Sequence, residues 1–326
     1  MKKILNLKEA IINLNKKHGK DSIKEIGEKD KRGIIESVST GCYSLDKIFG
    51  CGGVPRGRIL DIFGQFSSGK STLAMYIVSM IQKNGGKAAW VDAEFAWSTK
   101  YAEQIGVDTE KLLLSQPETC EMALDTVEKL VGTGELDIIV VDSTAALVPA
   151  VELENDIEKV TVALQARLLS KGLRMITGVA SKSKTIIIFI SQTREKIGMF
   201  VGGTQDSTGG KALKFYSSVR LKVSKIKTLK GKNDMVTGSR LRIEATKNKV
   251  GLPFRKAEID LNFGKGINIH ADVMDCAVKE GIIKREGIIY NYNDIKLGVG
   301  RDKAIAFIEN DEKIFEKIKK ELIKIN

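Results

Sequence analysis

Residues 58–72 read Arg58-Ile-Leu-Asp-Ile-Phe-Gly64-Gln65-Phe66-Ser67-Ser68-Gly69-Lys70-Ser71-Thr72. An apolar run leads into G-x-x-x-x-G-K-S, and a helix-spaced stripe follows at Leu73, Tyr76, Ile77, Met80 and Ile81. Strand, glycine loop and helix in that order are the setting that a phosphate-binding loop requires. The glycines let backbone N–H groups turn inward around an anion, and the new helix adds the positive end of its dipole. On this pattern Gly64, Gln65, Phe66, Ser67, Ser68, Gly69, Lys70, Ser71 and Thr72 cradle the phosphates of a nucleoside triphosphate. Lys70 reaches the β- and γ-phosphates, and Ser71 offers its hydroxyl to Mg²⁺. A Gly/Ser-rich connection without a ligand is the bland alternative, and motif and context together disfavour it.

Outward from the loop the chain repeats a βα pattern. Residues 87–94, 136–143 and 185–192 are apolar runs of strand length, and helical spacing occupies 119–130 and 164–178. Apolar strands between helices predict an α/β fold with a central, mostly parallel sheet covered on both faces. Ligands of such sheets bind beyond the carboxyl ends of the strands, so Glu94, Asp142 and Gln192 are expected to converge near the loop. Asp142 fits the second acidic motif of phosphate-loop enzymes and would order Mg²⁺ with Ser71. A carboxylate at Glu94 would orient and polarise the attacking water. A surface acid at a strand end is its plainer alternative.

A glycine-rich polar stretch, 198–210, reads as a functional loop rather than a connection. Antiparallel strands are expected at 216–230, 239–248 and 256–262. From about 268 the pattern becomes a small α+β unit: a helix over 268–280, a strand pair around 288–296, and helices at 302–309 and 311–325. The expected division is an N-terminal helix and linker over 1–33, a core over 34–267 and a C-terminal domain over 268–326. In the first part, apolar positions 4, 7, 11 and 14 lie on one stripe of an amphipathic helix. Lys16, Lys17 and His18 suit its last turn, and Gly19 its end.

The formal net charge of the 326 residues is +12. No apolar run approaches the length of about 18 residues that crosses a bilayer. Asn6, Lys8, Glu9 and Asn13 interrupt any signal-peptide core, so a cytoplasmic location is expected. Cys42, Cys51, Cys120 and Cys276 are scattered without a C-x-x-C pair, and His18 and His270 are the only histidines. A zinc site and a histidine-based triad are thereby excluded. Between Arg220 and Lys256, twelve Lys/Arg stand against Asp234 and Glu244, a local net charge of +10. That excess suits a nucleic-acid partner. Alternation of Val219, Leu221 and Val223 with Arg220 and Lys222 equally suits a solvated strand face.

The wording of the chain goes beyond spacing. GQFSSGKST, VDAEFA, LLLSQPET, IIVVDSTAALVP, FISQTREKIG, GGKALKFYSSVRL, KNKVGLPF and AEIDLNFGKGIN together closely resemble the bacterial RecA recombinases, in order from about residue 5 to about 325. FISQTREKIG followed by STGGKALKFY is specific to those recombinases rather than to phosphate-loop ATPases in general. The resemblance implies a RecA-type ATPase sheet, an N-terminal helix arm and a small α+β C-terminal domain. It implies a DNA-dependent ATPase that polymerises as helical filaments on single-stranded DNA and exchanges that strand with a duplex in recombinational repair. ATP and Mg²⁺ are the implied cofactors. The implied partners are single- and double-stranded DNA, further copies of the chain, a LexA-like repressor in an SOS co-protease role, and loading mediators.

By the same resemblance Glu94 is the water-activating glutamate, and Gln192 is the γ-phosphate sensor heading the second DNA-binding loop. Tyr101 matches the residue that stacks on adenine, and Lys247 and Lys249 match lysines that reach the ATP of a neighbouring subunit. Phe215 resembles an interface aromatic, and the N-terminal helix resembles the element that packs on the adjacent protomer. DNA contacts are implied for Arg167, Ser170, Arg174, Arg194, Lys196, Ile197, Gly209 and Gly210. The glycines would let backbone N–H groups approach phosphate, and Ile197 would wedge between base steps. Taken alone, Arg167 and Arg174, seven apart on one helix face, read as a solvated stripe.

The chain also departs from the family pattern. Ser98 stands where an Asp near adenine is usual, and Gln65-Phe66 replaces Pro-Glu in the phosphate loop. The first loop, 154–161, lacks the family's glycines and reads as helical. Residues 301–326 carry seven basic against six acidic side chains rather than an acidic tail, so DNA binding is expected to be less restrained. Lys284 and Arg285 would then help to capture duplex DNA, or simply lie on the surface. Two rival functions share the core: a translocating helicase, and a DNA-coating regulatory filament with little ATP turnover.

Overall fold

The computed structural model describes residues 6–19, 22–23, 35–154, 164–194, 206–207, 211–231 and 234–325. The chain divides into two units, Met1–Ile35 and Glu36–Asn326. In the first, the Asn6 side chain accepts from the Glu9 N–H and starts helix α1 (Leu7–His18), which Gly19 ends at φ 104°. The Asn15 amide donates to the Ile23 carbonyl at 2.8 Å and accepts from its N–H at 2.7 Å, folding the chain back along the helix. Leu7, Ile12 and Leu14 stay exposed.

The second unit opens with β1 (Ser37–Val38), α2 (Tyr43–Phe49) and β2 (Val54–Pro55), the two strands pairing antiparallel. The βα repeat follows as β3 (Ile59–Gly64), α3 (Lys70–Lys83), β4 (Ala88–Asp92), α4 (Thr99–Ile105), β5 (Leu112–Ser115), α5 (Cys120–Gly132) and β6 (Ile138–Asp142). It continues through α6 (Ala150–Glu154), α7 (Leu164–Ser183), β7 (Ile186–Arg194), β8 (Asp206–Ser207) and α8 (Ala212–Tyr216). Then come β9 (Val219–Lys230), β10 (Val236–Asn248), β11 (Lys256–Asn262) and β12 (Gly266–Ile267). The main sheet runs β12-β11-β10-β9-β3-β7-β6-β4-β5. Strands from β9 to β5 pair parallel, whereas β10, β11 and β12 add antiparallel.

Successive side chains of a strand face opposite ways, so one strand feeds two cores. Leu60 and Ile62 join Leu73, Ile77, Trp90 and Ile188 on the α3 side, while Ile59 joins Ile139, Val141, Phe189, Leu169 and Leu173 on the α7 side. This is the sheet covered on both faces that the apolar runs predict. The spacing had not placed α4 or β5. The latter is an edge strand with Leu113 and Leu114 exposed, so it shows no alternation to read.

The C-terminal part has its own core around Met274, Ile308, Phe315 and Ile318. It consists of α9 (Ile269–Lys279), β13 (Ile283–Glu286), β14 (Ile289–Tyr292), β15 (Ile295–Val299), α10 (Arg301–Asn310) and α11 (Glu312–Lys324). The expected strand pair is a three-stranded antiparallel sheet instead. In β13 only Ile283 is buried, which hides the strand among charged neighbours.

Three arginines of the basic excess between residues 220 and 256 pair with acids from outside that segment. Arg220 meets Asp61 at 2.7 Å, Arg242 meets Glu258 at 2.9 Å, and Arg240 meets Asp275 at 2.7 Å and Asp260 at 3.2 Å. Asp234 and Glu244, the two acids already set against that excess, pair with Lys230 and Lys256 at 3.3 and 3.7 Å. The strand-face reading therefore accounts for part of a pattern that charge alone left open.

Candidate active site and nucleic-acid interface

The phosphate loop joins β3 to α3 at the carboxyl end of the sheet. Gly64 lies so close to β9 that a Cβ there would sit 2.2 Å from the Val223 carbonyl oxygen, and Gly69 takes φ 88° to start the helix. Only glycine fits both demands. No side chain caps the α3 N-terminus. Ser68 Oγ is buried in the loop without a hydrogen-bond partner among the described residues. Unmatched donors at a helix start are suited to an anion.

A cleft of about 450 Å³ opens above the loop, lined by Phe66, Ser67, Ser68, Gly69, Lys70, Ser71, Thr72, Glu94, Asp142 and Gln192 among others. Lys70 is buried and its Nζ donates to the Gln65 carbonyl at 2.8 Å. Burial lowers its pKa, opposed by the Asp142 and Glu94 carboxylates. Burial pushes the Asp142 carboxyl up to about 6, with Glu94 and Asp92 adding to the rise and Ser71 and Lys70 opposing it.

Asp92 ends β4 and Glu94 follows it in the next turn, and the two acids do different things. Asp92 is buried and accepts from Trp97 N–H at 3.0 Å and Gln116 Nε2 at 2.9 Å, which shapes the 93–97 turn. That turn presents Glu94 to the cleft, where it accepts hydrogen bonds from the Ser143 hydroxyl and, at 3.0 Å, from Gln192 Nε2. Glu94, Asp142 and Gln192 thus meet at the ends of three different strands. Ser143 and the cleft-lining Phe263 and Lys225 were missed by sequence reasoning. Adjacency to Asp142 was the one available signal for Ser143.

Other sequence-selected residues lie outside the cleft lining, and Phe66 lies at its edge. The Tyr101 and Thr72 hydroxyls are 2.9 Å apart, placing the tyrosine ring beside the start of α3. Ser98 caps α4 by accepting from the Tyr101 N–H. Gln65 and Phe66 border a second hollow with Lys225 and Lys227, and Phe66 is 81% exposed. Lys247 donates to the Lys214 and Phe215 carbonyls at the end of α8. Asn248 turns inward to the Ile48 and Phe49 carbonyls, while Lys249 is exposed. Phe215 is 70% exposed and shares a hollow with Arg167 and Ser170.

On α7, Arg167 and Arg174 are exposed on the face opposite the buried Leu169, Leu173 and Ile176. Arg194 ends β7, where Thr193 and Arg194 pair with Ser207 and Asp206 of β8. Lys196, Ile197, Gly209, Gly210 and most of the first loop, from 155 to 161, lie outside the described residues.

A phosphate loop under a parallel sheet, with an acid, a glutamate and a glutamine at successive strand ends, defines a phosphate-loop ATPase. The RecA N-terminal domain family matches residues 5–268, and the RecA C-terminal domain family matches 271–325. The chain belongs to the RecA family, whose members are DNA-dependent ATPases and recombinases. It is 46% identical to Protein RecA of Heliobacterium modesticaldum over 94% of this chain and 89% of that one. It is 47% identical to Protein RecA of Clostridioides difficile over 95% of this chain and 88% of that one. A RadB recombinase crystal structure shares the fold at TM-score 0.53 and 22% identity, covering 71% of this chain and 98% of that one. Matches spanning both parts of the chain do not favour the helicase or low-turnover alternatives. No described helix is long and apolar enough to cross a membrane.

Proposed function

We propose that this chain polymerises on single-stranded DNA with ATP bound between neighbouring copies, and exchanges that strand for its like in a duplex. The convergence of Lys70, Ser71, Glu94, Asp142 and Gln192 on one cleft carries this reading. Loop N–H groups and Lys70 bind the phosphates, with the Lys70 ammonium exchanging the Gln65 carbonyl for phosphate oxygen. Ser71 and Asp142 are the pair suited to hold Mg²⁺, a fit supported by their place in one cleft and by the raised Asp142 pKa, which a cation would relieve. When bound, that ion neutralises phosphate charge. Glu94 orients the attacking water and takes its proton. Tyr101 stacks on the base.

Gln192 is bonded to Glu94 and exchanges that partner for the γ-phosphate. The change passes along β7 to the segment that begins at Lys196, which carries DNA contacts together with Arg194, Ile197, Gly209 and Gly210. Arg167, Ser170 and Arg174 add contacts from α7. Lys247 and Lys249 reach the nucleotide of the neighbouring copy, with Phe215 at the same junction. Hydrolysis then removes contacts made only in the ATP state and shifts the population toward release. On this reading 1–33 serves polymerisation, 34–267 catalysis and DNA binding, and 268–326 duplex capture. A cytoplasmic setting, a LexA-like repressor and loading mediators complete the proposal.

Strand exchange between a labelled single strand and its homologous duplex tests it directly. Glu94→Gln is expected to cut DNA-stimulated ATP turnover by on the order of 10²–10³ while ATP-dependent DNA binding persists. Wild-type protein without DNA-stimulated turnover would sink the reading.

A further inference from the structure

Below the cleft, a single buried carboxylate ties three strands together. Asp61 on β3 is 0% exposed. Its Oδ1 accepts from Ser191 Oγ on β7 at 2.8 Å, and its Oδ2 from Arg220 Nε on β9 at 2.7 Å. The Arg220 guanidinium lies over the Phe63 ring, 4.2 Å from its centroid. Parallel pairing sets Asp61 beside Arg220 and Phe63 beside Ser191, so the four groups share one face of the sheet close under the phosphate loop.

Each arm of this carboxylate leads to a different part of the site. Ser191 immediately precedes Gln192, whose amide is bonded to Glu94. Arg220 sits in register with Lys247 of β10, and its carbonyl accepts from Thr246 Oγ1 at 3.4 Å. Lys247 in turn holds the carbonyls that end α8, next to Phe215. A buried ion pair is weak evidence for stability, because apolar residues of similar volume often serve as well. Its directional bonds do fix geometry. The carboxylate is fully buried, so displacement of either neighbouring strand leaves a buried polar group short of a bond.

We propose that Asp61 is a positioning residue that couples Gln192 to the Lys247–Lys249 segment, so that contacts to the γ-phosphate from one copy and from its neighbour form and break together. The inference rests on the roles given above to Gln192, Lys247 and Lys249, and adds the element that joins them. In the ATP state both strands are held to one carboxylate. Loosening either arm lets one set of contacts form without the other, and the nucleotide then controls DNA affinity less tightly.

The test compares affinity for a fluorescently labelled single strand, by anisotropy, with ADP and with a non-hydrolysable ATP analogue. Ser191→Ala removes one arm without unpairing a charge. Asp61→Asn combined with Arg220→Gln replaces the ion pair by a neutral one. Both are expected to lower the ratio of the two affinities by at least about five-fold, the low end of ordinary coupling between sites, with the ADP-state affinity little changed. A purely structural role would weaken both states alike, or move only the melting temperature. An unchanged ratio in folded Ser191→Ala protein overturns the inference, and that variant decides alone if the double variant does not fold. A wild-type ratio near one refutes the roles of Gln192, Lys247 and Lys249 themselves, and the inference falls with them.

Discussion

Asp142 offers a test in which stability and activity should move in opposite directions. Burial pushes its carboxyl from 3.8 to about 6. A raised acid keeps its proton longer in the folded than in the unfolded chain, so between those values the native state binds more protons. Stability therefore falls as pH rises through that window and levels off above it. At about 1.4 kcal/mol per pKa unit, the ionised carboxylate costs about 3 kcal/mol at about pH 7.5 and about 1 kcal/mol at about pH 4.5. Asp142→Asn keeps the size but removes the charge. In the absence of nucleotide and divalent cation, the variant is expected to gain about 2–3 kcal/mol near pH 7.5. That corresponds to roughly 5 °C in melting temperature for a unit of this size, and about a third of the gain should survive near pH 4.5. ATP turnover should fall at the same time, because a neutral amide holds a divalent cation poorly. Scanning calorimetry of both proteins in EDTA at the two pH values gives the answer. A lower melting temperature near pH 7.5, or an equal gain at both pH values, would refute the reasoning.

Arg301 contacts Asp260 at 2.7 Å and Asp275 at 2.8 Å, and Arg240 shares the latter carboxylate. Burial disfavours ionised Asp275, yet the two guanidinium groups hold its carboxyl below the usual range. Arg301→Ala is expected to lose about 3 kcal/mol in urea denaturation near neutral pH. A depressed acid contributes stability above its unfolded pKa and loses it as pH falls through the folded value, so this deficit should shrink in acid. Lys247→Ala removes a cationic donor from the end of α8 and should cost about 1 kcal/mol of stability. If it also reaches a neighbour's nucleotide, DNA-stimulated turnover should drop by on the order of 10², and unchanged turnover counts against that role. Phe66, exposed at the rim of the cleft, should tolerate alanine within about 0.5 kcal/mol of stability while the KM for ATP rises. A melting shift with an unchanged KM would reverse that assignment.

Residues 58–72 by themselves determined a strand, a phosphate loop and a helix, because glycine at the loop positions and apolar periodicity around them are local requirements. The apolar runs ending at Asp142 and Gln192 likewise determined a parallel sheet. The C-terminal helices were legible from their stripes, but β13 was not, since only one of its side chains is buried. Charge was the least legible property. The basic excess of β9–β11 read as a polyanion surface or a strand face, and the acids that pair with Arg220 and Arg240 lie outside the segment, at Asp61, Asp260 and Asp275. The division of labour between Asp92 and Glu94 could not be read from two acids at a strand end. It depends on which way each side chain leaves the strand and on what the neighbouring strands bring to it. The sequence alone determined the glycine loop and helix start at Gly64–Thr72, because they are built from consecutive residues. Only the tertiary structure decided that Glu94, Ser143 and Gln192 form one hydrogen-bonded group, because they come from three strands that only sheet pairing brings together.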